Sequence, residues 1–148
     1  MNIAIIGSGL IGNKRAASIE MDDKIVAIYD TNMDAMVKMA STYKTEIVTD
    51  INDVMLNSEI ECIIIAVVNK HMKNYAVDAL KAGKHVLCEK PLGLNATESR
   101  TIVDLARLNK CLVKTGFNHR FHPGLRDAKK LIDAGKIGKI LNIRAHYG

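Results

Sequence analysis

Apolar and polar positions along the chain follow a repeating rhythm. Short continuous apolar runs alternate with longer stretches in which apolar residues recur at helical spacing. The strand-like runs are Ile3 to Ile6, Ile25 to Tyr29, Cys62 to Val67, His85 to Cys88 and Cys111 to Thr115, with a shorter one over 46–48. Between them the pattern predicts helices over 10–20, 32–43, 51–57, 70–82 and 97–109, and a later one from Pro123 to 134. Gly83 and Gly135 are placed to end the helices before them, and Asn95 or Thr97 to cap the start of another. Met33, Met36, Val37 and Ala40 share one helical face and are assigned to the core. Ile140 to Tyr147 reads as a further strand. Cys62 to Val67 is apolar throughout, as expected of a strand covered on both faces. Repeated strand–helix units predict the α/β class, with a doubly wound parallel sheet between helical layers.

Composition narrows the picture. The chain has 148 residues, 48% hydrophobic and 25% charged, the balance of a soluble globular domain able to bury a core unaided. Lys plus Arg exceed Asp plus Glu by 21 to 16. The excess is mild and scattered, and four Tyr and two Phe offer little stacking surface, so nucleic-acid binding has weak support. Cys62, Cys88 and Cys111 are odd in number and form no CxxC. They read as buried, reduced thiols of a cytoplasmic protein. No apolar stretch reaches the roughly 18–20 residues of a membrane span, and the N-terminus lacks a basic leader region.

In a sheet of this kind ligands bind beyond the carboxyl ends of the strands, so the chemistry should follow each apolar run. Gly7-Ser8-Gly9-Leu10-Ile11-Gly12 follows the first run and precedes a helix. Asp30 ends the second, 18 residues after Gly12. Together these fit a Rossmann dinucleotide fingerprint. Gly7 allows the tight turn, Gly9 lets a pyrophosphate approach the backbone, and Gly12 lets the helix pack on the sheet. Asp30 would accept hydrogen bonds from ribose hydroxyls and repel a 2′-phosphate. Thr31-Asn32 supply no cation to neutralise one, which favours NAD over NADP. Capping of the next helix is an alternative role for Asp30, compatible with the first.

AIIGSGLIG, Asp30, AGKHVLCEKPLG and GFNHRFHPGLRDAKKLIDAGKIGKI together resemble the N-terminal domain of the Gfo/Idh/MocA oxidoreductases, across the whole chain and in the expected order. The resemblance implies NAD(P)-dependent hydride transfer on a sugar, inositol or related hydroxy compound. Pro91 cannot extend a sheet ladder and forces a turn, which aims Lys90 out of the sheet edge. A cis Lys90–Pro91 bond would sharpen that turn, and the resemblance favours it. The resemblance makes Lys90 the catalytic residue, orienting a substrate hydroxyl and assisting its proton, with a surface lysine as the alternative. It puts Glu89 near the nicotinamide, and Val67 and Asn69 among the cofactor contacts. The family's histidine three residues beyond that asparagine is absent: Met72 stands there, and His71 one place earlier.

His119 and Arg120 read as substrate-side or interdomain residues. His119 and His122 have the spacing of a metal pair, but no third ligand is in sight, so no metal is expected. His85 and His146 read as structural. By the same resemblance, 1–120 form the dinucleotide-binding domain. Residues 121–148 form the linking helix and first strand of a second α/β domain otherwise missing, in a truncated chain or a natural fragment. That domain's sheet commonly makes the family's subunit contacts, which leaves a homo-oligomer as an expectation. Two other readings stay open: a non-catalytic NAD(H) sensor, and a Rossmann domain for another adenosine compound such as S-adenosylmethionine.

Overall fold

A computed structural model of the chain describes residues 1–20 and 22–146. The elements are β1 (Asn2–Ile6), α1 (Leu10–Ala16), β2 (Lys24–Tyr29), α2 (Met33–Tyr43), β3 (Glu46–Ile47), α3 (Ile51–Leu56) and β4 (Cys62–Ile65). They continue with α4 (Asn69–Lys81), β5 (His85–Cys88), α5 (Ala96–Leu108), β6 (Val113–Thr115), a 3-10 turn at Asn118–Phe121 and α6 (Pro123–Asp133). The chain divides into two compact units, Met1–Gly116 and Phe117–Gly148.

The first unit carries a six-stranded sheet in the order β3-β2-β1-β4-β5-β6, parallel at every pairing. Strand order reverses between β1 and β4, which opens a crevice above their carboxyl ends. Side-chain alternation divides the core between the two faces. Ala4, Ile6, Ile63 and Ile65 pack with residues of α3, α4 and α5, such as Val54, Met72, Leu80 and Ile102. Ile3, Ile5 and Ile64 pack on the other face with Ala16 of α1 and Met36 and Met39 of α2. Each fully buried isoleucine contributes about 1.5–3 kcal/mol, so these rows drive the fold.

Polar residues fix the helix starts. Asn32 Oδ1 accepts the Ala35 N–H at 3.0 Å, and Asp50 Oδ1 accepts the Asn52 N–H at 2.9 Å. Asn95, not Thr97, caps α5: its Oδ1 accepts the Glu98 N–H at 2.9 Å. Glu98 Oε2 reaches back to the Leu94 N–H at 2.8 Å. Gly83 ends α4 and Gly135 follows α6, both in the left-handed region at φ 76° and 67°.

Several sequence expectations are corrected. α1 stops at Ala16 rather than residue 20, because the Ser18 N–H and hydroxyl both turn back to Arg15 O. Met33 and Val37 are about half exposed, whereas Met39 is fully buried. The arc of α2 that meets the sheet is rotated toward Met36, Met39 and Ala40, and one residue turns a helix by about 100°. Of the cysteines, Cys88 is buried, but Cys62 and Cys111 are only partly so. Residues 140–146 form no strand, and they pair with no neighbouring strand; Tyr147 lies outside the described residues.

In the second unit Pro123 occupies the first turn of α6, and none of that helix's residues is buried. Lys129–Asp133 and Lys130–Asp127 pair along its exposed surface at 2.6 and 3.0 Å. Such pairs contribute about 0.3–0.5 kcal/mol each.

Candidate functional site

The loops above the sheet are held by an extension of its ladder. The Gly7 N–H donates to Tyr29 O, Ala66 N–H to Ile6 O, Glu89 N–H to Ile65 O and Gly116 N–H to Cys88 O, all at 2.8–2.9 Å. The first residue beyond β1, β4, β5 and β6 is therefore anchored to the strand beside it. Gly7, Ala66, Glu89 and Gly116 stand in a row along one rim.

Each glycine of the loop has its own reason. Gly7 has φ 103°, and a Cβ there would lie 2.5 Å from Ala66 O. At Gly12 a Cβ would collide with Gly7 O. Gly9 is different: its φ is −71° and a Cβ would meet nothing within 4 Å. Neither backbone conformation nor internal packing requires glycine there, which leaves room for an external group. Asn13 stitches the loop from below, its Nδ2 donating to Ser8 O at 2.7 Å and Gly9 O at 3.0 Å.

Asp30 closes the loop from the side. Its Oδ2 accepts the Ser8 N–H at 2.6 Å and the Ser8 hydroxyl at 2.9 Å. Oδ1 accepts the Asn32 N–H at 2.9 Å. Burial opposes its charge, but the bonds from the Ser8 and Asn32 amides and the Ser8 hydroxyl outweigh that, holding the carboxyl below its ordinary range. Oδ1 retains lone-pair capacity for a ligand hydroxyl. The helix cap, a second role considered for Asp30, belongs to Asn32.

A cavity of about 340 Å³ lies over the crevice, lined by Gly7, Gly9, Asp30, Val67, His71 and Tyr75 among others. Of the residues expected at a cofactor, Gly7, Gly9, Asp30 and Val67 thus converge on one space. Ser8 is buried and acts through Asp30, and Gly12 is buried under the loop. Leu10 and Ile11 are exposed at the start of α1. Asn69 is the exposed first residue of α4, outside the cavity lining. Helical register puts His71 at the cavity and buries Met72 in the core, so the two are not interchangeable. A larger, more open groove at the opposite end of β2 touches none of the glycine loop.

The β5 tip carries a cis Lys90–Pro91 bond and an exposed Lys90. Glu89, expected near the nicotinamide, has a partner within the chain: Arg15 Nε donates to its Oε1 at 2.5 Å, and Arg15 Nη2 also pairs with that oxygen. His119 and Arg120 lie on the exposed 3-10 turn of the second unit. His85, on β5, is structural: its Nδ1 accepts the Leu112 N–H at 3.1 Å. His146 is exposed and lies in no strand.

Sequence reasoning missed Arg15, Asn13 and the tyrosines. Tyr29 and Tyr75 meet edge to face with centroids 6.3 Å apart beside the cavity. Tyr75 carries a readable signal, since it lies one helical turn beyond His71. Burial, then Tyr29, pushes its hydroxyl upward. Among the described residues, no helix is long and apolar enough to cross a membrane.

A family model described as the oxidoreductase family with an NAD-binding Rossmann fold, Gfo/Idh/MocA, matches residues 1–117. The chain belongs to the Gfo/Idh/MocA oxidoreductase family. Among its relatives, the inositol 2-dehydrogenase of Gluconacetobacter diazotrophicus is 32% identical over 154 residues, covering 99% of this chain and 45% of the relative. The myo-inositol 2-dehydrogenase of Lactobacillus plantarum superposes with a TM-score of 0.84 at 28% identity, over 94% of this chain and 42% of that one. The scyllo-inositol dehydrogenase of Lactobacillus casei gives 0.85 at 27%, over 94% and 43%. This Gfo/Idh/MocA chain therefore spans under half the length of these relatives, and nearly all of it is matched by them.

Proposed function

We propose that the chain is the NAD-binding part of an oxidoreductase that interconverts a ring hydroxyl and a ketone on an inositol-like or sugar-like compound. One observation carries the reading. The crevice brings together a glycine that nothing internal requires, Gly9, and a carboxylate fixed in its charged form, Asp30. A dinucleotide accounts for both: its phosphates take the space over Gly9, and its adenosine ribose takes the open lone pair of Asp30. The charge on Asp30 opposes a 2′-phosphate, which supports NAD over NADP. Bound nicotinamide supplies the hydride acceptor or donor.

The remaining chemistry belongs to this chain's residues. Oxidising a secondary alcohol releases a hydride to the cofactor and a proton from the hydroxyl. Lys90, at the β5 tip on the same rim, orients the hydroxyl and assists the departure of that proton, which leaves to water beside its exposed side chain. Val67 and Asn69 serve in this reading as further cofactor contacts, Glu89 as the residue of the nicotinamide end, and His119 and Arg120 as candidate substrate contacts. The inositol dehydrogenase relatives support the substrate class. Lys90 and these relatives weigh against a sensor without turnover.

The experiment is titration with NADH and NADPH, followed by nicotinamide fluorescence. NADH should bind the tighter. Asp30→Ala should weaken NADH about tenfold to a hundredfold, the worth of a charge-assisted hydrogen bond, and level the preference. Absence of saturable binding, or tighter NADPH, contradicts the reading.

A further inference from the structure

An ion pair joins the glycine-loop helix to the Lys90 corner. Arg15 lies three residues after Gly12, on α1. It pairs with Glu89 Oε1 through Nε and Nη2, and the two side chains are only 17% and 12% exposed. Glu89 Oε2 in turn accepts the Lys90 N–H at 3.3 Å, and the Glu89 N–H is tied to Ile65 O at 2.9 Å. Gly116 lies against the pair: a Cβ there would stand 2.5 Å from Arg15 Nη2 and 2.9 Å from Glu89 Oε1. Nε donates the hydrogen bond of the pair, while Nη2 meets the same oxygen by charge alone and is buried without a hydrogen-bond partner of its own.

We propose that Arg15 is a positioning residue that, through Glu89, sets the Lys90 corner at a fixed spacing from the first turn of α1. A dinucleotide seated on the glycine loop then presents its nicotinamide to Lys90 in one geometry. This rests on the dinucleotide reading above. A merely structural pair would hold α1 to the sheet and affect every ligand alike. A positioning pair affects the nicotinamide end and spares the adenosine end.

ADP-ribose, which lacks nicotinamide, separates the two. The full chain and its Arg15→Met, Arg15→Lys and Gly116→Ala variants are titrated with ADP-ribose by calorimetry and with NADH by fluorescence. Arg15→Met should keep ADP-ribose affinity within about twofold while NADH weakens by about tenfold or more. The spectral shift of bound nicotinamide should be lost as well, and Arg15→Lys should recover part of both. Should Arg15→Met fail to fold, Gly116→Ala carries the same test, because it displaces the pair with both charges kept. Equal weakening of both ligands, or of neither, overturns the positioning role and leaves the dinucleotide site standing. Failure of the unaltered chain to bind either ligand overturns the dinucleotide reading, and this inference with it.

Discussion

At the residue scale, the loop's glycines answer to different forces. Gly12 is required by packing, since any Cβ strikes Gly7 O and pushes α1 from the sheet. Gly12→Ala should therefore destabilise the fold by about 1–3 kcal/mol, read from a denaturant midpoint. Asp30 makes stability depend on pH. Its folded carboxyl titrates lower than in the unfolded chain. The stabilisation is present above the unfolded value, near pH 4, and is lost as pH falls through the lower folded value. Asp30→Asn should flatten that acid limb of the melting profile. Cys88 has the opposite sign: burial, then Glu89, pushes its thiol up to about 12. Its contribution fades as pH climbs from the ordinary thiol value toward about 12. Cys88 should resist alkylation at pH 8 until the chain unfolds, as mass spectrometry would show. Asp30 was legible because its distance from Gly12 is a local signal. Arg15 was not, because its partner lies 74 residues away and no spacing rule links them.

At the scale of elements, strand and helix order was legible throughout the first unit, because apolar runs and helical periodicity are strong local signals. Boundaries were less so. Ala66 and Val67 are as apolar as β4 yet leave it, since they bend to line the crevice. The helical face of α2 was misjudged at Met33 and Val37, because periodicity gives the stripe but the sheet decides which edge of it is covered. Residues 140–146 have strand composition but pair with no strand among the described residues, and a ladder takes two strands. Capping was legible: Asn95 fits its position, and Glu98 completes a reciprocal arrangement with Leu94. Asn95→Ala should cost about 1 kcal/mol in chemical denaturation, with no effect on ligand affinity.

At the scale of the molecule, every buried hydrophobic residue from Ile3 to Ala106 lies in the first unit. A chain ending at Gly116 should therefore unfold cooperatively and hold NADH within about threefold of the full chain. A molten product or lost binding would show that residues beyond Gly116 complete the domain. The parallel order and its crevice followed from alternation and right-handed crossovers, whereas the ligand proposed for the crevice rests on two positions, Gly9 and Asp30. Gly9→Ala tests it most directly, by calorimetric titration of NADH beside a thermal melt. A methyl group there meets no protein atom, so stability should change by no more than about 1 kcal/mol, the scale of a changed helix cap. NADH affinity should fall by about tenfold or more, because the methyl stands where the phosphates approach the backbone. Undiminished affinity at unchanged stability would contradict the account: the space over Gly9 would then not be where the dinucleotide binds.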